Sequence, residues 1–399
     1  MGATKSINKR KVSIEDVLRD YRLVYESREA SLIGRKEVFM GKAKFGIFGD
    51  GKELAQIAMA KVFQNGDFRS GYYRDQTFMF AIEGLTIQQY FAQLYAHTSI
   101  EAEPASGGRL MNGHFASRLL DDSGNWKTQT EMKNSSADIS PTAGQMPRLV
   151  GLAYASKLYR ENKELHGLTD FSINGNEVAF GTIGNASTSE GHFYESINAA
   201  GVLQIPMVMS VWDDDYGISV PKEFHTTGGS ISEFLAGMQR TKTKLGYEII
   251  KAKGWDYLGL VDAFERGTKI AREEHVPVLI HVEEMTQPQG HSTSGSHERY
   301  KPKERLEWEK EYDCLTQFRK FILENEISTE EDLVSIETEA KATAKTARQE
   351  AWNGFINDIK KDQDKAVEIL EALGNESAHG GTILQIVSEL KSTLNSIRL

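Results

Sequence analysis

Between residues 1 and 40, Ile14, Val17, Tyr21 and Val24 recur three or four positions apart. That is the spacing of one helical face and predicts a helical N-terminal arm. Residues 41–134 mix short helical patterns with the glycine-rich stretches GIFGDGKE and ASGGRLMNGHF, loops that either bring backbone close to a ligand or merely turn the chain. From about 150 to 290 apolar runs alternate with helical patterns. Residues 177–183 (EVAFGTI), 205–212 (IPMVMSVW) and 277–282 (PVLIHV) read as strands, and Phe193, Ile197, Ala200 and Val202 form a helical stripe between the first two. The alternation predicts an α/β fold, a mostly parallel sheet with helices on both faces. Ligands in such sheets sit beyond the carboxyl ends of the strands, so chemistry is expected in the loops after Ile183, Trp212 and Val282. Residues 303–399 are charged, alanine-rich and helical in pattern, with turns expected near Gly374 and Gly380-Gly381, and carry no catalytic constellation. The division is thus a helical arm (1–40), a binding domain (41–302) and a helical extension or linker (303–399). The chain stops at Asn395–Leu399 without a closing element, so it is also readable as the front of a longer fused polypeptide.

With 39% hydrophobic and 26% charged residues, 399 residues suffice for a substantial core. A formal net charge of −10 and the lack of a long basic run argue against nucleic acid and anionic membranes as partners. A single cysteine, Cys314, excludes an intramolecular disulfide and a cysteine-based zinc cluster, and points to a reducing, cytoplasmic setting. No apolar run is long enough to span a bilayer, and MGATKSINKRKV lacks the apolar middle of a secretory signal. Its first six residues fit the loose myristoylation pattern, but a solvated start is the plainer reading.

The chemistry concentrates in Gly184-Asn185-Ala186-Ser187-Thr188-Ser189-Glu190-Gly191 and, about thirty positions later, Trp212-Asp213-Asp214-Asp215-Tyr216-Gly217-Ile218-Ser219. A small-residue loop leaving a strand lets backbone N–H groups approach a phosphate, and the next helix turns its positive end to the same anion. Ser187 with Glu190 also fits a capping box for that helix.

These two segments resemble the thiamine-diphosphate motif, and their continuations, Ser-Glu-Gly and Tyr-x-Ile-Ser, resemble the alpha chains of 2-oxo acid dehydrogenases. The resemblance implies a thiamine-diphosphate-binding fold and a Mg²⁺ held by Asn185, Asp214 and the Tyr216 carbonyl, with Gly184, Ala186, Ser187 and Ile218 beside the cofactor. Acid and amide have exchanged places relative to the family. Either order gives a hard cation one carboxylate and one amide oxygen, so binding is expected to survive, with Asp213 and Asp215 as alternative ligands. The literal triplet Gly49-Asp50-Gly51 has only Phe80 about thirty positions on, and resembles instead the family's Gly-x-Gly-x-Glu helix opening.

Supporting segments run in the family's order from about 40 to 300. Gly71–Asp75 resembles the Tyr-Arg element, with Tyr73 and Arg74 implied to bind diphosphate through a hydroxyl and a planar fork. Ser140-Pro141-Thr142-Ala143-Gly144-Gln145 resembles the aminopyrimidine segment, with Thr142 for Leu and Gly144 for Thr. Gly290–Ser294 resembles the His-Ser-Thr-Ser loop of branched-chain members, with Gly295-Ser296 in place of an Asp pair. It implies that His291 shuttles protons during acyl transfer, and His114 resembles a second active-site histidine. The implied activity is decarboxylation of a 2-oxo acid, branched-chain first and pyruvate or acetoin dehydrogenase next, with transfer to a lipoyl-bearing transacylase. A beta subunit or fused beta half, in an alpha2-beta2 assembly, is implied to complete the site. A nicotinamide-binding oxidoreductase is disfavoured because Gly181-Thr-Ile-Gly184 does not give Gly-x-Gly-x-x-Gly. A scaffold that has lost the cofactor is the reading from another class.

Overall fold

The computed structural model describes residues 12–393. The myristoylation-like start and Asn395–Leu399 lie outside the described residues. Helix α1 (Ile14–Phe39) opens on Ser13, whose hydroxyl accepts the Asp16 N–H at 3.0 Å. Val17, Tyr21 and Val24 are fully buried, whereas Ile14 is 48% exposed. There follow α2 (Glu53–Val62), β1 (Phe68–Ser70), α3 (Gln76–Ala81) and α4 (Ile87–Leu94). Next in the chain are β2 (Asn134–Ser135), α5 (Gln145–Glu161), β3 (Ala179–Gly184), α6 (Gly191–Leu203) and β4 (Met207–Trp212). A small hairpin, β5 (Tyr216–Gly217) and β6 (Val220–Pro221), leads through α7 (Ile231–Phe234) to β7 (Glu248–Lys253), α8 (Tyr257–Glu274) and β8 (Val278–Glu283). Four helices close the described chain: α9 (Lys303–Glu311), α10 (Cys314–Glu324), α11 (Glu330–Glu376) and α12 (Gly380–Ser392).

All pairings in the six-stranded sheet are parallel, in the order β2-β1-β3-β4-β8-β7. The expected α/β architecture is therefore the observed one. Side chains alternate across the strands as pleating demands. On β4, Met207, Met209 and Val211 pack against α5 and α6, while Val208 and Trp212 join the core built by α2 and α8. Gly181 on β3 permits close approach of α5, since a Cβ there would lie 2.2 Å from Leu149 Cδ2.

The terminal helices fold onto this body. Tyr21 donates to Glu337 at 2.6 Å, Phe318 of α10 stacks on Tyr257 of α8 at 4.5 Å, and Trp352 of α11 meets Tyr95 edge-on at 5.0 Å. No described helix is long and apolar enough to cross a membrane. Three local expectations are corrected. Val202 is 72% exposed, because it stands two positions, about 200° of helical turn, beyond the inward Ala200. Gly374 lies inside α11, where a Cβ would come within 3.0 Å of Leu384 on α12, so it serves a helix contact rather than a turn. Gly380-Gly381 begin α12, and the turn falls just before them.

His275 caps the carboxyl end of α8 with φ at 54°, its Nε2 donating to the Gly175 carbonyl at 3.0 Å. Burial, reinforced by the nearby Arg160, lowers its pKa to about 4. The fold therefore prefers the neutral ring. Its stabilising contribution is complete above the unfolded value near 6.5 and is lost as pH falls toward about 4. The guanidinium midpoint should accordingly drop more between pH 7 and pH 5 in the wild type than in His275→Asn, which keeps a residue tolerant of positive φ.

Candidate active site

β1 has β2 on one side and β3 on the other. A sheet of this kind opens a crevice where its strand order reverses, beyond the carboxyl ends. A cavity of about 390 Å³ lies there, lined by residues from the loops after β1, β3, β4 and β8.

The loop after β1 is fixed by Arg69, which is fully buried. Its guanidinium binds Asp138 at 3.1 and 3.0 Å, Asp75 at 2.9 Å, Ser135 Oγ at 2.9 Å and the Tyr72 carbonyl at 3.1 Å. Asp75 in turn accepts from the Thr182 hydroxyl on β3 and from Trp212 Nε1 on β4, the latter at 3.4 Å. One network thus ties three neighbouring strands and presents Tyr72, Tyr73 and Arg74 to the cavity. Arg74 is itself oriented by the Phe48 carbonyl at 2.6 Å and the His291 carbonyl at 2.9 Å.

After β3, the Asn185 N–H donates to the Trp212 carbonyl at 3.1 Å, and Ala186–Ser189 form a 3-10 turn. The expected capping box is not formed. Ser187 lies within that turn, and α6 starts beyond Glu190, which makes no side-chain cap bond. Gly184, Asn185, Ala186 and Ser187 all line the cavity. Asn185 is 4% exposed, and its Nδ2 has no partner among the described residues. A buried donor left in this way is costly unless something polar meets it.

The aspartates after β4 have separate fates. Asp213 accepts from His281 Nε2 at 3.0 Å, and Asp215 pairs with Lys222 and Arg305. Asp214 lines the cavity with Tyr216, Gly217 and Ile218. Ile218, β-branched and 61% exposed, is held at φ 58°, a region such residues rarely adopt. From below, the buried Lys52 Nζ donates to Asp214 Oδ2 at 2.7 Å, the Thr286 carbonyl at 2.6 Å and Gln287 Oε1 at 2.8 Å. Against the upward push of burial, the Lys52 ammonium, helped by Lys301 and Arg74, holds the Asp214 carboxyl at about 2.

His291 follows β8 and also faces the cavity. Its loop is ordered from elsewhere than an Asp pair. Arg35 donates to the Gln289 carbonyl at 2.6 Å, Thr293 and Gly46 exchange bonds of 2.9 and 3.0 Å, and Gln289 N–H reaches Asp50 at 2.9 Å. Burial, with the Arg74 charge, brings the His291 pKa down to about 4, so the ring is neutral at pH 7. His114 does not line the cavity. It stands behind Ser140, with Nδ1 at 3.3 Å from the Asn112 carbonyl and Nε2 at 3.0 Å from Ser140 Oγ. Because a carbonyl only accepts, Nδ1 carries the proton and Nε2 accepts from Ser140.

The structure therefore gathers Tyr73, Arg74, Ser140, Thr142, Gly184, Asn185, Ala186, Ser187, Asp214, Tyr216, Ile218 and His291 around one space. Tyr72, Glu190, Trp212 and Gly217, which the sequence segments contain without a binding role assigned to them, also stand on its wall, and Lys52, which sequence reasoning missed, lies beneath it. Lys52 did leave a signal, since a lysine is a poor residue to open a helix, where the positive end of the dipole lies. A larger hollow of about 610 Å³, between residues 40–45 and Trp352–Ile359, is mainly apolar and lies at no strand end.

A diphosphate fits the donors present: Arg74, the unpartnered Asn185 amide and the small-residue turn. A divalent cation fits poorly. The expected set holds one carboxylate, Asp214, and its Oδ2 is already bound to an ammonium. The expectation that the acid–amide exchange leaves a cation site intact thus overlooks Lys52.

A family model described as dehydrogenase E1 component matches residues 26–360. The chain is 27% identical over 315 residues to the 2-oxoisovalerate dehydrogenase subunit alpha of Bacillus subtilis, covering 78% of this chain and 83% of that subunit. It is 28% identical over 204 residues to the pyruvate dehydrogenase E1 component subunit alpha of Rickettsia bellii, covering 51% of this chain and 55% of that one. With the mitochondrial 2-oxoisovalerate dehydrogenase subunit alpha of Caenorhabditis elegans, identity is 25% over 327 residues, with 81% and 66% of the two chains covered. The match thus spans most of the Bacillus subunit and about half to two thirds of the other two.

Proposed function

Because this chain belongs to the dehydrogenase E1 component family, we propose that it is the alpha part of a thiamine-diphosphate-dependent 2-oxo acid decarboxylase, with a branched-chain substrate. The observation that carries this reading is the convergence of segments at 73–74, 140–142, 184–187, 214–218 and 291 on one cavity at the sheet's reversal point. The relatives named for 2-oxoisovalerate favour the branched-chain acid, and those named for pyruvate supply the runner-up.

When bound, thiamine diphosphate supplies the electron sink that decarboxylation needs. This chain's part is anchoring and proton handling. Arg74 and the Asn185 amide would hold the diphosphate, with the backbone N–H groups of Ala186 and Ser187 beside them, and Ile218 and Tyr72 narrow the space and would exclude water. His291 enters the reaction as a neutral imidazole able to take a proton, while His114 orients Ser140. A beta partner completes the site, in an alpha2-beta2 assembly serving a lipoyl-bearing transacylase. The expected Mg²⁺ is not carried into this reading, since Asp214 is already paired.

Reconstitution with the beta partner tests the assignment. The pair should turn over 2-oxoisovalerate in preference to pyruvate, and the chain alone should bind thiamine diphosphate without turnover. A large preference for pyruvate would transfer the assignment to the runner-up. Calorimetry showing no thiamine diphosphate binding, with or without the partner, would leave only a non-catalytic scaffold.

A further inference from the structure

Building on the thiamine diphosphate reading, we infer that Lys52 occupies the electrostatic role of the divalent cation, so that this chain holds the diphosphate without a metal. The first ground is placement. The loops after β3 and β4 carry an amide at Asn185 and a carboxylate at Asp214, and the carboxylate stands where an ammonium reaches it at 2.7 Å. The lysine side chain is 1% exposed. A buried charge of this kind needs a paired anion, and of the oxygens Lys52 touches, only Asp214 carries negative charge. Removing that carboxylate to a metal would strand the ammonium and set a dication beside it.

The second ground is independent. Asn185 is 4% exposed and has an amide nitrogen without a partner among the described residues, so it offers a donor that a phosphate oxygen satisfies. Mg²⁺ demands near-octahedral oxygen coordination and Ca²⁺ still more oxygens. The two carboxylates that flank Asp214 in the chain are committed, Asp213 to His281, and Asp215 to Lys222 and Arg305, which leaves Glu190 as the other carboxylate on the cavity wall. The donors suit an anion. Lys52 cancels the charge of Asp214 from beneath, which removes the repulsion a metal would otherwise have to neutralise, and Arg74 on the cavity wall adds positive charge.

The test titrates thiamine diphosphate into the full chain with its beta partner, by calorimetry and tryptophan fluorescence, in EDTA and then in Mg²⁺. The expected result is the same affinity in both media within about threefold. Mn²⁺ added with thiamine diphosphate should keep its free-ion paramagnetic resonance signal. Lys52→Gln uncovers Asp214, so its binding should weaken by about tenfold or more in EDTA and recover in Mg²⁺, with stoichiometric Mn²⁺ uptake. Wild-type binding that disappears in EDTA and returns with Mg²⁺ overturns the inference alone. Binding in neither medium overturns the cofactor reading as well. Should the variant not fold, the wild-type titrations and the Mn²⁺ signal decide.

Discussion

Arg69→Met is expected to lower the unfolding free energy by about 3–5 kcal/mol and to abolish thiamine diphosphate binding. The side chain is fully buried between Asp75 and Asp138, themselves buried. Methionine fills much of the volume but leaves two carboxylates in low dielectric without their cation, the costly half of a broken ion pair. Total stabilities of folded proteins are about 5–15 kcal/mol, so the loss is a large fraction of the whole. Binding should fail with it because the same guanidinium holds the Tyr72 carbonyl, and through it the turn that presents Tyr73 and Arg74. Urea unfolding and thiamine diphosphate titration of the same preparations check both statements. Adding Asp75→Asn and Asp138→Asn to Arg69→Met should recover part of the stability, because neutral amides are cheaper to bury. A midpoint within the error of the wild type would show that the network is not what ties β1, β3 and β4 together.

The sheet was readable where burial on both faces makes a strand a continuous apolar run. Residues 177–183, 205–212 and 277–282 coincide closely with β3, β4 and β8. β7 escaped because it is an edge strand with partly exposed Glu248 and Ile249 and exposed Lys251, so its apolar signal is diluted. β1 and β2 escaped because FRS and NS are too short to show a period. The cavity wall was legible through short motifs that sit at strand ends, where the fold fixes their direction. Lys52 was not, because its meeting with Asp214 spans 162 residues and depends on how α2 packs under the loop after β4. The capping box failed for a related reason: the Asn185–Trp212 backbone bond and the 3-10 turn set the start of α6 before Ser187 can act. Sequence spacing names which groups are near in the chain, and burial decides which charges must find one another.

His291→Ala is expected to reduce kcat/KM of the reconstituted enzyme by about 10²–10⁴-fold, while thiamine diphosphate affinity changes by less than about threefold. The two readouts separate because His291 lines the cavity yet makes no anchoring contact of its own: its carbonyl, which alanine keeps, is what orients Arg74. The ring's contribution is to accept a proton. With its pKa brought to about 4 by burial and by Arg74, it enters the reaction neutral. A bound diphosphate would oppose the Arg74 and Lys52 charges and so push that value upward, while burial, the main cause of the lowering, would remain. The loss should therefore be greatest in acyl transfer to a lipoyl acceptor, where a proton must move, and smaller when an artificial oxidant removes the electrons directly. Comparing the two assays on one preparation tests this. Equal losses in both would place His291 in cofactor positioning, and a parallel fall in thiamine diphosphate affinity would show that the loop holding it had come away from Arg35 and Gly46.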